Sequence, residues 1–180
     1  MPLKEIKPTL SIESLNAYYR KRLTFTDFFF WEILLIVISL AFLASIYQSS
    51  GQVSSWYNSL SLAPWQPPNW VFGLIWTILY LLIALTGYTG IKSDPRRWVF
   101  SSLFIIGLFL NVIWCMTFYF ESILGGLIVL IILDVVVLTQ IIYLLAQRNR
   151  AAKITGGILI LYLIWIAYAT SLNGYLYTNN

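Results

Sequence analysis

The sequence holds no histidine, one cysteine, and only 10% charged residues in a chain of 180. Without histidine there is no histidine-ligated haem, no histidine zinc site and no Ser-His-Asp chemistry. Cys115 alone can form neither an intramolecular disulfide nor a cysteine-only metal cluster, so no metal site is expected. A soluble domain carries roughly 25% charged residues, and this chain lacks the polar surface that solubility needs. What is abundant is apolar and aromatic: 59% hydrophobic residues, 17% aromatics and eight tryptophans. The bulk of the chain is therefore expected in lipid.

A hydrocarbon core of roughly 30 Å takes about 20 mostly apolar residues per helix, and the hydropathy pattern predicts five such stretches. They run over 28–47, 70–89, 98–120, 123–146 and 154–177. The first is too long, and too far behind basic and polar residues, for a cleaved signal peptide. The basic residues fall in three groups: Lys4, Lys7, Arg20, Lys21 and Arg22 before the first stretch; Lys92, Arg96 and Arg97 between the second and third; Arg148, Arg150 and Lys153 between the fourth and fifth. With five spans all eleven lie on one side, and the positive-inside rule then predicts a cytoplasmic N-terminus, with the first loop and the C-terminus opposite. The net charge of +4 reflects this topology and contact with anionic lipid rather than nucleic-acid binding.

Residues 1–26 form a polar cytoplasmic leader, and 27–180 form the transmembrane domain. In the leader Ile12, Leu15 and Tyr18 recur at helical spacing ahead of the Arg20-Lys21-Arg22 cluster, which fits either an interfacial helix or a solvated basic anchor. The first loop, 49–69, is uncharged, aromatic and stiffened by Pro64, Pro67 and Pro68. Ser55 is placed to cap a short helical turn carrying Trp56, Tyr57 and Leu60. Such a loop fits a lid over the bundle mouth; the plainer reading makes Trp56, Trp65 and Trp70 interfacial belt residues.

Inside the stretches Asp134 stands out, since an ionised carboxylate in mid-span costs roughly 2.5–3.5 kcal/mol on insertion scales. It is a candidate polar contact to a ligand or a structural hydrogen bond between helices. Glu32, one turn into the first stretch, can reach the interface. Three aromatic stripes recur at helical spacing: Phe72, Trp76 and Tyr80; Asn111, Trp114, Cys115 and Phe118; and Tyr162, Trp165, Ala169, Leu172 and Asn173. Each alone reads as packing, whereas together they suit the lining of a site for a planar hydrophobic ligand.

The runs Trp56-Tyr57-Asn58-Ser59-Leu60, Pro67-Pro68-Asn69-Trp70-Val71-Phe72-Gly73 and Trp76-Thr77-Ile78-Leu79-Tyr80 resemble the W-Y-x-x-L, P-P-x-W-V-F-G and W-T-x-L-Y signature of the TspO/MBR family. Its members are called tryptophan-rich sensory protein, translocator protein or peripheral-type benzodiazepine receptor. Leu110-Asn111-Val112-Ile113-Trp114 is similar to the family's L-N-x-x-W, and the segment from Leu163 to Ala169 with Leu172-Asn173 resembles its last-helix pattern. The resemblance implies an all-α membrane protein, a five-transmembrane-helix bundle with a first-loop lid, binding protoporphyrin-like tetrapyrroles and other planar hydrophobic ligands as a sensor or scavenger. The alternatives it carries are a transporter of porphyrin or sterol and a light-dependent porphyrin-degrading enzyme. It implies ligand contacts from Trp56, Tyr57, Pro67, Trp76, Asn111, Trp114, Phe118, Trp165 and Ala169, with Trp76 and Trp165 as the photochemical residues if light chemistry occurs. No cofactor is required beyond porphyrin as ligand. A homodimer is implied too, with weak support from the small residues Ser101, Ser102 and Gly107.

The chain also departs from the family pattern. Leu62-Ala63 replaces the Lys-Pro that usually precedes the first-loop tryptophans, and Leu161 replaces a proline before Tyr162, predicting a straighter last helix. No lysine or arginine follows Tyr175 or Tyr177, so the sterol pattern found there in animal members is missing.

Overall fold

The computed structural model describes residues 51–93 and 98–180, with side chains from Ser55 onward. The expected first stretch, Glu32 and the leader lie outside the described residues. Among the described residues the chain is all helix, with no strand: α1 (Gly51–Ser59), α2 (Asn69–Ser93), α3 (Trp98–Tyr119), α4 (Ile123–Leu145) and α5 (Arg150–Asn179). The last four are long and apolar enough to cross a membrane.

Each long helix carries a narrow seam of buried residues. On α4 it is Gly126, Leu130, Leu133, Val137, Gln140, Ile141 and Leu144, following the three-to-four-residue helical repeat. Outward positions are also apolar: Ile128, Ile131, Val135, Leu138 and Ile142 of α4 are all exposed. A helix buried on one face and greasy on the other belongs in lipid, and the protein is an integral, multi-pass membrane protein. The helices form a ring in which α3 meets α4, α4 meets α5, and α5 returns to α2, which closes on α3 through the thinnest contact.

Since lipid is as apolar as leucine, close packing and interhelical hydrogen bonds hold the ring. Gln140 of α4 donates to the Leu103 carbonyl of α3 at 3.1 Å, and Thr155 of α5 donates to Thr89 of α2 at 2.9 Å. Phe100 and Phe104 of α3 lie stacked at 5.8 Å over Gly90 and Gly87 of α2, which have no side chain to hold them off. Gly107 faces Gln140, its missing Cβ position 3.3 Å from Nε2. It serves packing within the chain, so it lends no support to a dimer contact.

The boundaries correct the sequence reading in two places. Gly51 begins α1, one turn before Ser55, so Ser55 sits inside the helix and is not its cap. The fifth helix starts at Arg150, capped by the Asn149 side chain accepting from Ala151 N–H at 2.9 Å, four residues before its apolar stretch. It then runs unbroken for 30 residues, as Leu161 in place of proline predicts.

The turn between α3 and α4 ends the helix in a Schellman arrangement: Ser122 N–H donates to Thr117 O at 2.8 Å and Glu121 N–H to Phe118 O at 3.2 Å. The pivot, Glu121, is left-handed at φ 55°, where a side chain costs roughly 1–2 kcal/mol. Glu121→Gly should therefore stabilise the folded state by up to about 1 kcal/mol after glycine's own entropy cost. Unfolding in detergent micelles measures this, and a loss of stability would mean that the Glu121 carboxylate makes a compensating contact.

Candidate functional site

The three stripes meet at the end of the ring that carries α1. Trp76 of α2 is the hub: its ring stacks on Tyr80 at 5.4 Å, lies tilted against Trp114 of α3 at 5.6 Å, and meets Trp165 of α5 edge-on at 6.4 Å. Phe72, one turn earlier on α2, abuts Trp165 at 5.8 Å. From Trp114 the contacts continue to Phe118 at 5.4 Å, and from Phe118 out to Trp56 and Tyr57 of α1 at 6.3 and 6.1 Å. Six of the expected site residues, Trp56, Tyr57, Trp76, Trp114, Phe118 and Trp165, thus belong to one continuous chain of ring contacts joining α1 to three long helices. Each such pair contributes roughly 0.5–1.5 kcal/mol beyond its buried area.

Asn111 is buried on the same α3 face as Trp114, one turn away. Its Nδ2 is placed to donate to the Tyr162 hydroxyl of α5 at 2.5 Å and to Gly107 O at 3.1 Å, which fixes the amide. Among the described residues its Oδ1 faces no partner, and the indole N–H groups of Trp114 and Trp165 are likewise buried and unpartnered. Leaving a polar group buried without a partner costs about 1–3 kcal/mol. Two donors and one acceptor gathered at one aromatic cluster are therefore its main chemical feature.

Ala169 is buried one turn beyond Trp165, and Pro67 is half-buried in the loop ahead of α2. Asp134 stands apart, at the seam between α4 and α5, where its Oδ2 accepts from Thr170 at 2.7 Å. Among the described residues there is no group of His, Cys, Asp and Glu able to hold a metal ion.

The loop is tied to the bundle by residues that the stripes do not show. Tyr168 of α5 donates its hydroxyl to Trp65 O at 2.7 Å, and the Trp65 ring meets Tyr175 at 5.3 Å. Asn180 accepts from Ser61 N–H at 2.8 Å and donates back to Ser61 O at 3.3 Å. Within the loop Gln66 donates from Nε2 to the Tyr57 hydroxyl at 2.7 Å. Burial pushes the Tyr57 phenol above its ordinary range, with the Gln66 bond acting in the opposite sense. Tyr57 therefore stays neutral through physiological pH. The sequence signal for these ties was available only in part: hydroxyls and amides cluster in the last turns of α5, but their partners are carbonyls of a loop far away in the chain.

Comparison with known proteins bears on what this arrangement is. The TspO/MBR family profile matches residues 33–178. The chain is 32% identical over 152 residues to the tryptophan-rich protein TspO of Archaeoglobus fulgidus, covering 82% of this chain and 94% of that one. It is 34% identical over 127 residues to the TspO of Chlorobaculum tepidum, covering 67% and 77%. The human translocator protein is 26% identical over 136 residues, covering 72% and 78%. The match spans all four long helices and the aromatic cluster between them, and the chain belongs to the TspO/MBR family.

Proposed function

We propose that this protein binds a protoporphyrin-like tetrapyrrole, or a related planar hydrophobic ligand, at the Trp76 cluster, acting as a sensor or scavenger. The single observation that carries the reading is the pair of unpartnered indole N–H groups of Trp114 and Trp165 flanking Trp76. A flat macrocycle with acidic side arms satisfies both demands: its faces replace ring contacts and its carboxylates accept from indoles. With no histidine in the chain, stacking and hydrogen bonds hold it rather than axial imidazole ligation.

In this reading 28–47 supplies a fifth span, and α1 with the loop behind it is a lid that the ligand must pass. The end bearing Arg148, Arg150 and Lys153 faces the cytoplasm, with the lid opposite. Contact with lipid, a sterol among its components, and assembly as a homodimer complete the proposal. The lid reading has a kinetic consequence. Tyr168→Phe removes the hydroxyl tie to Trp65 O and should speed both ligand entry and ligand release several-fold, measured by stopped-flow mixing and displacement; unchanged rates count against the lid.

Light-dependent breakdown is the second reading, favoured by the indoles of Trp114 and Trp165, each in contact with that of Trp76 where the macrocycle would bind. Purified protein loaded with protoporphyrin in the dark and then illuminated separates the two. Binding alone leaves the porphyrin spectrum unchanged under light that also leaves free porphyrin intact. Breakdown consumes bound porphyrin faster than free porphyrin and slows in Trp76→Phe or Trp165→Phe. Failure to retain porphyrin in the dark overturns both.

A further inference from the structure

Asp134 is the central residue of α4, which is 23 residues long. It faces α5, and nothing in the aromatic cluster accounts for it. The Thr170 hydroxyl lies 2.7 Å from Asp134 Oδ2 and 2.9 Å from the Ile166 carbonyl on its own helix. That hydroxyl has one proton for two acceptors. If Asp134 is ionised, Thr170 must turn its proton to the carboxylate and leave the bond to Ile166 O. The other carboxylate oxygen, Oδ1, is buried with no partner among the described residues, so a full charge would sit in the seam on a single hydrogen bond. If Asp134 is a carboxylic acid, Oδ2–H donates to Thr170, and Thr170 donates to Ile166 O in the back-bond that threonines commonly make in membrane helices. Both close contacts are then satisfied at once, and Oδ1 is a weak neutral acceptor.

Among the described residues the surroundings offer no countercharge. The titratable side chains of α3 are Cys115 and Tyr119, the other on α4 is Tyr143, and those of α5 inside the span are Tyr162 and Tyr168. The lysines and arginines of the described residues, Lys92, Arg148, Arg150 and Lys153, lie at the helix ends.

We propose that Asp134 is a proton-binding site within the bundle: neutral at physiological pH, it latches α4 to α5 through Thr170, and loss of its proton at alkaline pH leaves a charge in the seam, frees the Ile166 carbonyl and so weakens the latch. The step transfers only a proton, from Oδ2 to solvent hydroxide, as the Thr170 hydroxyl turns back from Ile166 O to the carboxylate. The latch sits one turn along α5 from Trp165 and two from Tyr162, so it makes the helix that carries part of the aromatic cluster sensitive to proton concentration.

Infrared spectroscopy of the full chain in lipid, with the carboxyl carbon of aspartate isotopically labelled, tests this directly. The expected result is a protonated-carboxyl band at neutral pH that shifts with the label and in heavy water, moves in Thr170→Val, is absent in Asp134→Asn, and fades reversibly as pH rises. A wild-type spectrum at neutral pH with no label-sensitive protonated-carboxyl band overturns the proposal and needs no variant to interpret. Thermal unfolding gives an independent arm. The wild type should lose stability as pH is raised through the range in which the band fades, while Asp134→Asn, a neutral isostere of the acid, should lose none of it there. Equal alkaline losses in the two proteins would overturn the latch.

Discussion

Replacing Gly90 with alanine should destabilise the folded bundle by about 1–3 kcal/mol, the usual cost of forcing a methyl group into a filled core. The added Cβ would fall within the ring of Phe100, which is fully buried and held by its stack on Phe104. At Gly87 the same addition would bring a Cβ to 2.5 Å from Phe104 Cζ. These two glycines let α2 and α3 approach at the thinnest contact of the ring, so the loss should appear as weaker α2–α3 packing rather than as local adjustment. A double-mutant cycle isolates the cause. Phe100→Ala alone should cost about 3–5 kcal/mol through the cavity it leaves, yet in that background Gly90→Ala should cost almost nothing, because the ring it would strike is gone. Unfolding in mixed micelles reads all four corners. Strict additivity would show that the alanine acts through helix geometry and not through the ring.

The second large effect concerns binding. Trp114→Phe and Trp165→Phe each keep an aromatic ring but remove an indole N–H that the protein leaves unpartnered. If those donors serve a ligand carboxylate, each loss should weaken dark porphyrin binding by about 10-fold or more, since a hydrogen bond to a charged group contributes about 1.5–3 kcal/mol. The esterified porphyrin, whose side arms carry no charge, should bind the wild type more weakly and lose less on substitution. Trp76→Phe makes a useful contrast. Trp76 is the hub of the ring contacts, so its replacement should act chiefly through stacking and weaken free acid and ester alike. Equal sensitivity of both ligands to all three substitutions would mean that the indole N–H groups play no part in recognition.

How much of this was legible in the sequence varies with the range of the interaction. The membrane helices were plain because every turn of them repeats the same apolar signal, and Trp98–Tyr119 and Ile123–Leu145 begin where the hydropathy does. The ends of α2 and α5 were not, because a helix continues past the hydrocarbon wherever a cap permits, and the Asn149 cap is a polar signal that hydropathy does not carry. The stripes placed Trp76, Trp114 and Trp165 on helical faces but could not say that those faces meet. That depends on the order of helices around the ring, which i, i+4 spacing leaves open. Ser55 was misplaced for the same reason in miniature: a serine before an aromatic run looks like a cap until the preceding turn is seen to be helical. Asp134 was recognised as costly, but its partner Thr170 lies 36 residues away on a helix whose rotation only packing decides.

The central claim is that a tetrapyrrole contacts the Trp76 cluster, and quenching of intrinsic tryptophan fluorescence by protoporphyrin in the dark tests it most directly. The account predicts saturable quenching at micromolar porphyrin with one ligand per chain, weakened in the Trp114→Phe/Trp165→Phe double variant while that protein remains folded. Absence of quenching, or quenching that rises linearly without saturation and is the same in the double variant, would contradict it.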